Sequence, residues 1–227
     1  MSKPFFSVIV PAHNAAGFIR NGLNSIMEQT FKDYELIVVC DKCVDNTAEI
    51  AEEYTDKVVE IDHDVDGRGH NVGIKMATGS WVLFMDHDDW WIHECVFERI
   101  ATVIRDACDN GVMFNVLAFN FIMKGVGYAV NSTWTKIYPA MWNKCWRRDF
   151  LGDEELPAWD MEIALKLHPK AQFLCWPEAF YYYNYMMPGS ISDLIRKGEI
   201  STAEIPENVR GIFDGYRDAM RDGSIHV

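Results

Sequence analysis

Four apolar runs, each leading into a helical pattern or an acidic turn, constrain this chain more than any other feature. The first covers 5–10 and stops at Pro11; the others cover 34–40, 58–61 and 81–85. Between the first two, Phe18, Ile19, Leu23, Ile26 and Met27 are spaced for one apolar face of a helix over 15–29. Asp45-Asn46-Thr47 opens a second helix reaching about residue 54, and Gly67-Arg68-Gly69 breaks the chain before a third at 70–77. Strand alternating with helix in this way is the rhythm of a parallel sheet with crossover helices on its faces.

Beyond Asp89 the rhythm changes. Residues 94–107 read as helix, 113–123 as strand, 128–137 as a hairpin arm, and 139–150 and 158–167 as helices. Strands are expected at 171–176 and 179–186, then a polar tail from 189 to 227 with helical potential at 209–220. The spacing therefore predicts an α/β domain over 1–192, with a mostly parallel half at 1–89 and a mixed half at 90–192, and a helical tail over 193–227.

A chain of 227 residues that is 49% hydrophobic and 24% charged can bury one ordinary core. The net charge of −13 argues against a general affinity for phosphate backbones or anionic membrane surfaces. No apolar run approaches the length of a membrane span, and no signal-peptide pattern precedes the first strand. The cysteines are scattered, several of them inside apolar runs, as in a reduced, cytoplasmic protein. Cys40 and Cys43 form a C-x-x-C with no second pair to complete a zinc site. They leave a strand rather than open a helix after a first strand, so neither a zinc nor a thioredoxin-like role is expected.

Asp86-His87-Asp88-Asp89 follows directly on Trp81-Val82-Leu83-Phe84-Met85. Ligands of open α/β sheets bind beyond the carboxyl ends of the strands. Two carboxylates one residue apart in that place make a hard oxygen site for Mg²⁺ or Mn²⁺. Taken alone, Asp-x-Asp reads more readily as a polar loop capping the next helix. Asp45, followed by Asn46-Thr47, reads as a cap. Asp89 fits either the site or a cap.

The motifs together resemble family 2 glycosyltransferases over roughly residues 5–192. Phe6-Ser7-Val8-Ile9-Val10-Pro11-Ala12-His13-Asn14 is similar to the family's opening strand and turn, and Gln29-Thr30 to its Gln-Thr. Cys40-Asp41-Lys42-Cys43-Val44-Asp45-Asn46-Thr47 resembles the Asp-Asp-Gly-Ser-x-Asp-Asn-Thr stretch. Asn71-Val72-Gly73, Ala77-Thr78-Gly79, the Asp86 turn, Trp142-Asn143-Lys144 and Pro188-Gly189-Ser190-Ile191-Ser192 follow in the family's order.

The resemblance implies the GT-A fold, a Rossmann-like α/β architecture, and an inverting glycosyltransferase that uses a nucleotide-diphosphate sugar, with a UDP-sugar favoured. It implies that Pro11, Ala12, His13, Asn14, Asp41, Arg68, His70 and Asn71 line the donor site with Asp86, His87 and Asp88. Asp86 and Asp88 would hold Mn²⁺ or Mg²⁺, Asp88 the more directly, while His87 points away. Asp160 would be the general base, with Asp153, Glu154 and Glu155 as alternatives. Trp142 and Trp159 are nominated for the acceptor because aromatic faces suit the C–H faces of sugars.

Several residues depart from the family pattern. Cys40 replaces the first Asp of its pair, Lys42-Cys43 replaces Gly-Ser, His70 replaces an Arg, and Trp159 replaces the Glu before the base. Tyr185 and Met187 stand where basic residues precede Pro-Gly-Ser, and Arg196 or Lys197 on the tail would have to substitute. These changes keep a second reading open, a sugar-nucleotide-binding module without strong catalysis. The acceptor stays open between a glycan, a lipid-linked saccharide, a protein and a modified nucleobase. A homodimer through the C-terminal tail is a further expectation.

Overall fold

The computed structural model describes residues 3–62, 68–124, 140–152, 155–157 and 160–184. The expected hairpin at 128–137, Asp153, Glu154, Trp159, the Pro188 motif, Arg196, Lys197 and the tail with its dimer contact lie outside them.

The first half follows the predicted rhythm. Strand β1 (Phe6–Ala12) leads to helix α1 (Ile19–Met27), β2 (Tyr34–Asp41) to α2 (Thr47–Glu52), and β3 (Val58–Ile61) to α3 (Arg68–Met76); β4 (Trp81–Phe84) follows. Strand β1 pairs in parallel with β2 on one side and β4 on the other, and β2 pairs in parallel with β3. Val8, Ile9, Val10, Val82, Leu83 and Phe84 are fully buried, as residues of strands covered on both faces must be. Helix α3 lies close on β1 because Gly73 has no side chain: a Cβ there would stand 2.3 Å from Ile9 Cγ2.

The second half is mixed. It contains β5 (Trp90–Trp91), α4 (Val96–Asp109), β6 (Val116–Met123), β7 (Lys144–Arg147), α5 (Arg148–Leu151), α6 (Asp160–Leu167) and β8 (Phe173–Tyr183). The strand order of the sheet is β3-β2-β1-β4-β7-β6-β8-β5. Strand β7 runs antiparallel to both β4 and β6, β6 pairs in parallel with β8, and β5 closes the far edge antiparallel to β8. Strands β4 and β5 are joined by residues 85–89 yet have three strands between them in the sheet. The sheet therefore curls, bringing β8 over the end of β4.

Two expectations are corrected here. Of the helix expected at 139–150, the described residues 140–150 do not form it: 144–147 make β7, and a helical turn covers only 148–151. The spacing of Met141, Trp142, Cys145 and Trp146 fits one helix face, but Cys145 and Trp146 are buried in the strand beside β4 and Met141 and Trp142 in the turn that leads into it. Nor is there a break between the strands expected at 171–176 and 179–186: 173–183 form one strand. Pro177, which lacks an N–H and reads as a break, sits inside one strand at a register shift opposite Asn120. Asn120 Nδ2 donates to the Pro177 carbonyl at 2.7 Å and covers that irregularity.

A carboxylate secures the opposite end of the parallel strands. Glu35 on β2 accepts hydrogen bonds from Ser7 of β1, from both the hydroxyl and the N–H of Thr78, and from the N–H of Gly79, and pairs with Lys57. Burial pushes its carboxyl up, but bonds from Lys57, Ser7 and Thr78 outweigh that and hold it down to about 2.

Candidate active site

Because β1, β2 and β4 are parallel and in register, their C-terminal ends share one edge of the sheet. Pro11–Asn14, Asp41 and the acidic turn after Phe84 emerge there together. Hydrogen bonds join the three ends. His13 Nδ1 lies 2.6 Å from the Asp41 carbonyl, and its Nε2 lies 3.0 Å from Asn14 Nδ2. An amide NH₂ can only donate, so Nε2 accepts and the proton is on Nδ1, donated to Asp41. Asn14 Oδ1 accepts the Val44 N–H at 2.9 Å. Asn14 itself adopts a left-handed φ of 46°, the conformation in which asparagine is enriched.

On the other side, His87 Nδ1 meets the Pro11 carbonyl at 3.1 Å, and its ring stacks on Phe18 at 5.6 Å. The imidazole is thus occupied with holding β4's turn to β1's end. Asp45 accepts the N–H groups of Ala16 and Thr47, tying the start of α2 to the loop before α1. Against a burial effect that would raise it, these bonds and that of the Thr47 hydroxyl keep its carboxyl below the usual range. Asp45 is therefore a structural cap.

The acidic turn is held from below by β8. The Tyr181 hydroxyl accepts the Asp86 N–H at 3.0 Å. Asn184 donates its N–H to Asp89 Oδ1 at 2.7 Å and its side-chain amide to the Asp88 carbonyl at 3.2 Å. Helix α1 also closes on this turn: a Cβ on Gly22 would lie 2.7 Å from the Asp89 carbonyl oxygen. Asp89 is fully buried and caps no helix, since α4 starts only at Val96.

These contacts leave Asp86 and Asp88 half-buried at the strand end. Burial pushes the Asp88 carboxyl up, with His87 and Lys124 pulling it back. Burial and the charges of Asp86 and Asp88 push Asp89 up further. Three carboxylates crowded in this way favour a cation among them. No cluster of three or more His, Cys, Asp or Glu with metal-ligand geometry occurs among the described residues. A magnesium-like ion needs only one or two protein carboxylates when phosphate oxygens and water complete its shell. Asp86 and Asp88 fit that donor set.

The remaining predicted residues are placed as follows. Arg68 opens α3 and Asp160 opens α6. His70 is buried with its ring 5.2 Å from that of Phe84. Asn71 is a clamp: its Nδ2 donates to the Leu156 carbonyl at 3.0 Å and its Oδ1 accepts the Leu156 N–H at 2.8 Å. That fixes the segment leading to Asp160. Trp142 lies in the core at 3% exposure, stacked on Tyr181 and Tyr183 at 4.8 Å each, where it supports the turn from behind. Tyr181, Asn184 and Gly22 were not singled out in the sequence. Tyr181 and Asn184 act on residues some 95 positions away, and no local pattern announces that.

The model of the family described as Glycosyl transferase family 2 matches residues 7–181. This chain belongs to glycosyltransferase family 2. Among solved structures, Staphylococcus aureus TarS 1–349 in complex with UDP-GlcNAc superposes with a TM-score of 0.67 at 26% identity, covering 78% of this chain and 57% of that one. The poly(ribitol-phosphate) β-N-acetylglucosaminyltransferase TarS of S. aureus is 39% identical over 106 residues, which are 43% of this chain and 18% of TarS. The putative glycosyltransferase EpsH of Bacillus subtilis is 28% identical over 175 residues, covering 69% of this chain and 51% of EpsH. Glucosyl-3-phosphoglycerate synthase from Mycobacterium tuberculosis, solved with Mg²⁺ and UDP, shares the fold at a TM-score of 0.60 and 16% identity. The family 2 chain described here thus has the GT-A fold, and it spans only part of the length of these curated relatives. No helix among its described residues is long and apolar enough to cross a membrane.

Proposed function

We propose that this family 2 domain transfers a sugar from a nucleotide-diphosphate donor, a UDP-sugar, to an acceptor hydroxyl with inversion at the anomeric carbon. One observation carries the reading: the parallel register delivers Pro11–Asn14, Asp41 and Asp86–Asp88 to a single edge of the sheet. The UDP and UDP-GlcNAc complexes of TarS supply the nucleotide preference.

Asp41, at the end of β2, is suited to accept hydrogen bonds from a base N–H or ribose hydroxyls. Asp86 and Asp88 would hold Mn²⁺ or Mg²⁺, ions with which neighbours of the same fold have been solved. A divalent ion there supplies Lewis-acid neutralisation of the diphosphate. Asp160, at the start of α6 beyond the Asn71 clamp, takes the acceptor's proton. The acceptor oxygen forms its bond to the anomeric carbon as the bond to the diphosphate breaks on the opposite face.

Calorimetric titration of UDP-sugars with and without Mn²⁺, paired with release of free UDP, tests this. Metal-dependent binding of UDP-sugars with slow transfer to water is expected. Equal, metal-independent binding of every nucleotide would sink it, and binding without any UDP release would favour a binding module instead.

A further inference from the structure

The C-x-x-C at the end of β2 looked inert in the sequence because it leaves a strand instead of opening a helix. The structure shows that the way it leaves the strand brings the two thiols together. Lys42 takes a left-handed φ of 47°, and the resulting reversal turns Cys43 back onto the strand ends: its Sγ reaches the carbonyl of Ala12, the β1 residue in register with Cys40, and both cysteines line one surface depression. Cys40 has no exposed surface, whereas Cys43 is half-buried; the depression is also lined by Lys42, Val44, Glu60 and Asp62. One thiol is therefore reachable and the other is not.

Their surroundings divide the roles further. The neighbouring Cys40 thiol lowers that of Cys43 to about 6, against the effect of burial. The same interaction, then burial, pushes Cys40 up. As a thiol, Cys43 reaches the Ala12 carbonyl at 3.6 Å. The reachable sulfur is thus the nucleophile, and the buried one keeps its proton until it is needed.

The pair is also wired into the edge described above. Asp41 lies between the cysteines, and its carbonyl accepts the His13 bond. Lys42 donates its N–H to Ile61 at 2.9 Å, and Val44 donates to Asn14. A disulfide needs its sulfurs about 2.05 Å apart, closer than any hydrogen-bonded contact. Closing it pulls residue 43 toward β2 and disturbs the turn that holds Asn14 and Asp41.

We propose that Cys40 and Cys43 are a redox-active dithiol set into the nucleotide-binding edge, closing reversibly to a disulfide that weakens nucleotide binding. The coupling to binding rests on the donor-site reading given above. The oxidant is a low-molecular-weight disulfide. Cys43 thiolate attacks one of its sulfurs, forming a mixed disulfide and releasing one thiolate. Cys40 then gives up its proton and attacks the Cys43 sulfur, releasing the second. The protein loses two electrons, and one small disulfide becomes two thiols.

The test equilibrates the full chain in buffers of oxidised and reduced glutathione, quenches by alkylation, and maps residues 40–43 by peptide mass. UDP with Mn²⁺ is titrated into the reduced and oxidised forms in parallel. A 40–43 disulfide, a drop in UDP affinity of about tenfold or more, and recovery with dithiothreitol are expected. Cys43→Ser should form no such disulfide and show no oxidation-dependent change in UDP affinity. Cys40→Ala should stop at the mixed disulfide on Cys43. Residues 40–43 staying reduced in fully oxidised buffer, or equal UDP affinity of both wild-type forms, would overturn the proposal. If neither form binds UDP or any other nucleotide, the donor-site reading falls and takes the coupling with it, whatever the peptide map shows.

Discussion

The hydroxyl of Tyr181 lies 3.0 Å from the backbone nitrogen of Asp86 and accepts its N–H across 95 residues of chain. Asn184, just beyond β8, donates its N–H to the Asp89 carboxylate, so the end of β8 sets both ends of the acidic turn. The Tyr181 ring is stacked on Trp142 and meets Trp91 edge-on at 5.2 Å. A metal site at Asp86 and Asp88 would therefore inherit its rigidity from the second half of the domain.

Tyr181→Phe keeps that stack and removes only the hydroxyl. The Asp86 N–H loses that partner in a half-buried place, a cost of up to about 1–3 kcal/mol. Urea unfolding should show that loss, and Mn²⁺-dependent UDP affinity should fall with it. Unchanged unfolding together with unchanged affinity would remove the hydroxyl from the account.

Asp88→Asn separates the metal role from stability. Burial already pushes this carboxyl up, so its ionised form costs folding energy at neutral pH. The substitution should leave the melting temperature level or slightly higher. Metal-dependent UDP affinity should fall by more than the roughly ten- to hundredfold seen for changes around a metal's ligands. A titration in Mn²⁺ that matches wild type would place the ion elsewhere.

Asn71→Ala frees both backbone groups of Leu156, which lie buried beneath α3 and ahead of Asp160. A loss of about 1–3 kcal/mol for each unsatisfied group is expected. Since the clamp acts on the segment leading to the base, turnover should drop more than UDP affinity does. Steady-state kinetics beside a UDP titration distinguish this from a direct donor contact, which would weaken binding first.

Glu35 makes stability fall in acid. Its folded-state carboxyl is held down to about 2 against an ordinary value of 4.5. A depressed acid contributes stability that is fully present above the unfolded value and is lost as pH drops through the folded one. Unfolding measured between those two values should show a decline that Glu35→Gln largely lacks. An identical slope in both proteins would assign the acid sensitivity to other groups.

The parallel half was legible because each strand there is buried on both faces and each helix carries one apolar face, so period and burial agree. The cap at Asp45 was legible for a similar reason: the groups it binds lie within two residues or at the facing loop. The mixed half was read less well. Cys145 and Trp146 satisfy a helix period as readily as a strand position, and only the vacancy beside β4 decides for the strand. Pro177 looked like the end of a strand until Asn120 from β6 covered its irregularity. Asn71 carried a family motif, yet its contact is a backbone segment 85 residues further on.

The chain by itself determined that apolar runs alternating with helices would stack as parallel strands, and that carboxylates would emerge where the run at 81–85 ends. Those are local matters, settled by side-chain period and by the polarity of neighbouring residues. Only the curled sheet decided which groups hold those carboxylates. Tyr181 and Asn184 come to the turn because β8 is folded over β4, and Cys43 meets Cys40 because Lys42 turns back beneath the strand. Contacts across most of the chain depend on where whole strands are laid, and the residues that make them carry no local mark of their partners.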